Sequence, residues 1–194
     1  MVEQPVTSVV LVGVGGQGVL LASEVAARAA ILAGFDVKTN EVHGMAQRGG
    51  SVIAQVRYGP RVWSPLVEPG TARVLGSLER IEALRYHQLL APGGLAVVSS
   101  QVIVPTTVSS GQAAYPADAE ARLQRVFPRL VYADAVAEAR ALGDHRAANL
   151  VILGAMSMAL DLPVTAWEEA ITQSVKAGHL DRNLRAFRRG RELP

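Results

Sequence analysis

Two glycine-rich stretches carry the residue types best suited to holding a ligand. The first is Gly13-Val14-Gly15-Gly16-Gln17-Gly18, which fits G-x-G-x-x-G directly after a β-branched apolar run and directly before a helical pattern. In that context successive backbone N–H groups and the start of the helix can hold a phosphate or another anion. The alternative gives the glycines a structural job only, a tight turn and close helix–strand packing. Glu41 lies 23 residues beyond Gly18, about where an acidic residue binds a ribose in dinucleotide-binding proteins. The second stretch is residues 43–50, HGMAQRGG. Arg48 offers a planar fork of donors to a carboxylate or phosphate, and the neighbouring Gly49 and Gly50 let a ligand approach the backbone. His43 can titrate near neutral pH or donate to an oxyanion, and Gln47 can both donate and accept. The competing account has these residues shape a turn and satisfy backbone groups at a protein interface.

Several chemistries are excluded or disfavoured. The chain has no cysteine, which removes disulfides, thiolate nucleophiles and any iron–sulfur cluster held here in the usual way. The four histidines, His43, His87, His145 and His179, lack HxH or HExxH spacing, so this chain alone is not expected to bind zinc or haem. The formal net charge is +2, and all but Lys38 and Lys176 of the 19 Lys and Arg residues are Arg. Four of them, Arg185, Arg188, Arg189 and Arg191, cluster near the end of the chain with Phe187 as the one aromatic among them. A nucleic-acid face would interleave more aromatics, so the cluster reads as a solvated, partner-facing C-terminus.

The elements that must position the two stretches follow from periodicity. Residues 7–14 read as a buried strand, and residues 19–33 as a helix with Leu20, Leu21, Val25, Ala29 and Leu32 near helical spacing and Gly34 as its stop. Residues 35–42 form a second strand, completing a Rossmann-like βαβ unit. Only eight residues separate it from a third strand at 51–58. That is too few for a parallel crossover, so the third strand is antiparallel to the second or placed elsewhere. Further strands are expected at 73–76, 95–99 and 130–133, the turn 91–94 preceding the second of these. Helices are expected at 78–90, 117–126, 134–142 (capped by Asp134), 145–160, 164–177 and 183–189, with 101–114 as an extended connection. Asn149 reads as a structural hydrogen-bonding residue, Gly154 and Ala155 as marks of close helix packing. His87 reads as a surface or half-buried residue, and Trp63 and Trp167 as packing anchors, although Trp63 in its PRVWSP turn could reach a partner. The whole is one α/β domain over residues 1–194: three-layered, with a mixed sheet and a helical C-terminal third. With 49% hydrophobic and 19% charged residues it is globular. Its apolar runs fall short of the ~20 residues of a membrane helix, and no basic segment precedes an apolar stretch at the start. No membrane and no nucleic-acid partner is expected, and the expected location is the cytoplasm.

The paired motifs GVGGQG and EVHGMAQRGG resemble the gamma-type domain of 2-oxoacid:ferredoxin oxidoreductases, above all the beta subunit of the indolepyruvate type. The resemblance continues through residues 149–155 (NLVILGA) and 183–187 (NLRAF) followed by Gly190, while 102–129 carries no matching motif. It implies a division of labour. Thiamine diphosphate and iron–sulfur clusters would sit on a large alpha subunit, which decarboxylates a 2-oxoacid such as an aryl pyruvate. That subunit would pass electrons to ferredoxin and the acyl group to coenzyme A. The small subunit would bind no cofactor alone and be inactive alone, though it could pair with a second copy when isolated. Gly13, Gly15, Gly16, Gln17, Gly18, His43, Gln47, Arg48, Gly49 and Gly50 become its ligand- or partner-binding residues, with contact to coenzyme A, substrate or only the partner left open. Two other functions stand beside this one: an NAD-dependent dehydrogenase, which needs a complete second mononucleotide half, and a stand-alone nucleotide-binding regulatory module.

Overall fold

Every residue of Thr7–Val14 past the first is buried, the pattern of a strand covered on both faces. The computed structural model, which describes residues 6–44, 49–112 and 114–194, sets this strand near the middle of a six-stranded mixed sheet. In chain order the elements are β1 (Thr7–Val14), α1 (Val19–Leu32), β2 (Asp36–His43), β3 (Ser51–Gly59), β4 (Ala72–Ser77), α2 (Arg80–Arg85) and β5 (Leu90–Ser99). There follow α3 (Thr106–Ser109), α4 (Ala119–Val126), β6 (Leu130–Ala133), α5 (Ala135–Ala141), α6 (Ala148–Ser157), α7 (Val164–Ser174) and α8 (Leu180–Arg191). The strand order is β2-β3-β1-β4-β5-β6; β1, β4, β5 and β6 are parallel, and β3 runs against both its neighbours.

Strand alternation feeds two cores and makes three layers. Val9, Leu11, Ala54, Val56, Val74 and Val97 pack against α1, α5, α6, α7 and α8. Val10, Val12, Ile53, Leu75, Ala96 and Val98 pack against α2, α4 and the segment around Val67. On the first side α6 and α8 cross at two glycines. A Cβ on Gly154 would collide with the Phe187 carbonyl oxygen, and one on Gly190 with the Val151 carbonyl oxygen. Trp167 is fully buried and stacks on Phe187, with ring centroids 5.8 Å apart.

β3 is antiparallel to β2, one of the two placements the short connection allows, and it also inserts between β2 and β1. The first βαβ unit is therefore split, its two parallel strands separated by a third. The helix expected at 78–90 is cut to Arg80–Arg85 and a 3₁₀ turn, His87–Leu89. Leu78 is lost to it because its N–H bonds to the Val12 carbonyl, and Glu79 caps the helix by accepting from the N–H groups of Ile81 and Glu82. The expected turn at 91–94 falls inside β5, beside a register shift against β4. The final helix starts earlier and ends later than expected. Its arginines, exposed or half-buried, are mostly engaged within the chain: Arg185 to Asp181 at 2.9 Å, Arg188 to Glu168 at 2.8 Å and Arg189 to Glu138 at 2.8 Å. Trp63 is no packing anchor, being 81% exposed with the Arg61 guanidinium 4.3 Å above its ring. No helix among the described residues is long and apolar enough to cross a membrane.

Candidate functional site

The glycine loop joins β1 to α1 through two left-handed residues, Gly16 (φ 101°) and Gly18 (φ 83°), a region L side chains avoid. Its glycines divide the work. A Cβ on Gly13 would stand 2.9 Å from Gln17 Oε1 and 3.1 Å from Leu78 Cβ, so close packing belongs there. Gly18 combines its left-handed turn with the approach of Asn149, whose Nδ2 would be 2.5 Å from an added Cβ. Gly16 has nothing within 4 Å of that position, so only its backbone angle demands glycine.

Gln17, expected among the ligand-binding residues, is used up inside the protein. Its Oε1 accepts from the Val14 N–H at 2.7 Å. Its Nε2 donates to the Leu78 carbonyl at 2.7 Å and to Gln101 Oε1 at 2.9 Å. Because α1 and α2 leave on opposite faces, the gap between the C-terminal ends of β1 and β4 is the topological switch point, where open α/β sheets bind ligands. Here the Gln17 amide fills it. Glu41 is likewise engaged, accepting from the buried Ser23 hydroxyl at 2.9 Å, and β3 separates its strand from β1. Neither residue is placed as a nucleotide-binding fold would need it.

The two motifs meet. The Gly15 N–H donates to the Gly50 carbonyl at 2.8 Å and the Gly49 N–H to the Gly15 carbonyl at 3.4 Å, extending the β1–β3 ladder beyond Val14 and Ser51. Gly49 adopts φ 78° to do so. Beside this junction lies a cleft of about 450 Å³ lined by Val14, Gly15, Gly16, Gly18, Val19, Leu20, His43 and Val52. The start of α1 borders it, with no capping side chain and no acidic residue in the first turn, so the helix's positive end is uncompensated by side chains. His43 is exposed at the rim, its Nδ1 3.4 Å from the Gly44 carbonyl. Gln47 and Arg48 lie outside the described residues.

Asn149, at the start of α6, underpins the loop: its Nδ2 donates to the Gly18 carbonyl at 3.1 Å while its Oδ1 accepts from the Leu150 N–H at 2.9 Å. Two buried acids escaped the sequence reading because nothing in their spacing marks them. Glu82 accepts from the Ser51 hydroxyl and from Arg85 Nε at 3.2 Å, fixing the root of the second motif. Glu79, 2% exposed, accepts from the Tyr115 hydroxyl at 2.9 Å in addition to capping α2. Burial raises the Tyr115 phenol above its ordinary range, so it stays a donor.

A family model described as pyruvate ferredoxin/flavodoxin oxidoreductase matches residues 8–193. An indolepyruvate oxidoreductase subunit IorB of Archaeoglobus fulgidus is 41% identical over 187 residues, spanning 94% of this chain and 92% of that protein. The fold recurs in the pyruvate oxidoreductase subunit PORC of Thermotoga maritima. There the TM-score is 0.73 at 21% identity, over 98% of this chain and 97% of that one. It recurs also as part of a 2-oxoglutarate:ferredoxin oxidoreductase of Magnetococcus marinus. The TM-score is 0.72 at 19% identity, over 97% of this chain and 31% of that one. With the family model covering nearly every residue, the chain belongs to the pyruvate ferredoxin/flavodoxin oxidoreductase family, as a subunit of the 2-oxoacid:ferredoxin oxidoreductase type.

Proposed function

We propose that the chain is the small subunit of an indolepyruvate-type 2-oxoacid:ferredoxin oxidoreductase, with its paired glycine motifs turned toward the large subunit's reaction chamber. The observation that carries this reading is the Gly15–Gly50 junction, which sets the uncapped start of α1 beside the root of the second motif. The indolepyruvate type is favoured by the 41% identity to the Archaeoglobus fulgidus subunit.

The chain's own donors do not fit an iron–sulfur cluster. It has no cysteine, and no group of three or more His, Cys, Asp or Glu among the described residues is placed to hold a metal. In this reading the clusters and thiamine diphosphate would sit on the large subunit. Coenzyme A fits better. The amides at the start of α1 suit a phosphate, the open space at Gly16 leaves its backbone approachable, and Arg48 would add a fork of donors. Bound there, coenzyme A would supply the thiol that accepts the acyl group, while this chain's residues hold and orient it.

The test is reconstitution. This chain and a co-expressed thiamine-dependent large chain, assayed separately and together, should give indolepyruvate-dependent ferredoxin reduction only together. A large chain with full activity by itself, or this chain active alone, would sink the proposal.

A further inference from the structure

Away from the glycine loops, one cluster of cations outnumbers the acid among them. Arg140 lies in the last turn of α5, Asp144 and Arg146 lie in the turn that follows, Lys176 follows α7, and Arg182 sits in the first turn of α8. They line two adjoining clefts, of about 500 and 310 Å³, that share Asp144, Arg146 and Arg182. Asp144 is the carboxylate common to both. It accepts from Arg146 Nε at 3.0 Å and Nη2 at 2.7 Å, and from Arg182 Nη1 at 2.8 Å. The Arg146 hydrogen bonds hold its carboxyl well below the usual carboxylate range, so it stays ionised. Arg140 and Lys176 are exposed and have no carboxylate partner among the described residues. Four cations thus face one carboxylate. On α8, by comparison, Arg185, Arg188 and Arg189 each have an acid within the chain.

We infer that this basic groove is a docking surface for an acidic segment of the large subunit, an inference that rests on the subunit reading above. Charge complementarity names the partner's chemistry: a run of Asp or Glu side chains would neutralise the surplus. The geometry favours such a segment over a compact anion such as phosphate. Asp144 already occupies the centre between the Arg146 and Arg182 forks, where a small anion would have to sit, and would repel it. What remains available is the rim, Arg140 and Lys176 above all, which an extended acidic stretch can reach from both sides. The second cleft also includes Leu21 and Asn149, and Asn149 holds the Gly18 carbonyl. The groove thus adjoins α1, the helix that starts at the glycine loop, and one large partner can reach both.

The experiment uses the Arg140→Glu/Lys176→Glu variant. Its melting profile should match that of the unaltered chain, because neither side chain has an ion-pair partner to lose. Binding to the large subunit is measured at about 50 and about 300 mM salt, where screening differs strongly. The unaltered chain should bind less tightly at the higher salt. The variant should bind roughly tenfold or more weakly at the lower salt and depend less on salt. If the charge-reversed chain misfolds, Arg140→Gln/Lys176→Gln takes its place, with a smaller loss in the same direction expected. Equal affinity and equal salt dependence in variant and unaltered chain overturn the docking surface while leaving the subunit reading intact. Failure of the unaltered chain to bind the large subunit overturns both. Inorganic pyrophosphate is titrated into both forms of the isolated chain. Pyrophosphate binding that vanishes in the variant, with binding to the large subunit unchanged, reassigns the groove to a phosphate ligand. A dimer of the isolated chain that dissolves in the variant reassigns it to a second copy.

Discussion

Gly154 and Gly190, where α6 crosses α8, and Gly16, at the mouth of the cleft, are the same residue type under opposite constraints. At the crossing the backbone angles are ordinary and there is no room, since an added Cβ would strike a carbonyl oxygen of the facing helix. At Gly16 there is room and the angle is the constraint. A glycine in a family motif therefore does not by itself say whether packing or backbone conformation requires it. The two cases respond differently to substitution. A collision with backbone cannot be relieved by repacking side chains, whereas a left-handed residue in open space costs only its conformational strain.

The largest effect should come from Gly154→Val. It forces α8 off α6 at the Trp167–Phe187 stack and should cost at least about 4 kcal/mol, a large share of a domain's usual stability. Denaturant unfolding would measure it, and a loss under about 1 kcal/mol would refute the backbone collision. Gly18→Ala comes next. A left-handed alanine plus displacement of the Asn149 amide should cost roughly 2–3 kcal/mol. If Asn149 is what it strikes, the double variant with Asn149→Ala should cost less than the sum of the single changes.

Arg48→Ala tests the proposed ligand role rather than the packing. If Arg48 serves a ligand and not the fold, the small subunit's melting should stay within about 0.5 kcal/mol of the original. Turnover, or the KM for coenzyme A or 2-oxoacid, in the assembled enzyme should worsen about ten- to hundredfold, for a lost charge-assisted bond of roughly 1.5–3 kcal/mol. Arg48→Lys should restore only part of this. Unchanged kinetics in an intact complex would remove Arg48 from the site. The smallest stability effect should be that of Gly16→Ala, about 1–2 kcal/mol of strain with no clash. A loss as large as that of Gly154→Val would show that Gly16 is crowded after all.

Local chemistry was legible in the chain and non-local pairing was not. The bounds of β1 and β6, the stop of α1 at Gly34 and the cap at Asp134 all follow from neighbours in sequence, and they agree with the structure. The eight-residue connection rules out a parallel β3 beside β2 by chain length alone, and of the two placements left the structure takes the antiparallel one. That β3 also opposes β1 depends on a ladder between segments some forty residues apart, which no local pattern encodes. Glu79 and Glu82 were invisible for the same reason, because Tyr115 and Ser51, which they bind, lie elsewhere in the sequence. In the candidate site, the two motifs could be picked out by composition, but their pairing and the internal use of Gln17 needed the fold. The C-terminal arginines show the limit from the other side. Arg188 and Arg189 find their acids on α7 and α5, so a cluster that looks unbalanced along the chain is largely balanced in space.

The Gln17 amide has a mechanical consequence. One side chain ties the end of β1 to the exit of β4 at Leu78 and to the exit of β5 at Gln101. A glycine-rich loop would otherwise be among the most pliable parts of the molecule, but this one is riveted across the ends of three parallel strands. It cannot swing to meet an incoming group without straining the sheet behind it. A force applied at the cleft is shared with the β4–α2 and β5 connections, so the loop behaves as a rigid corner of the sheet and not as a flap.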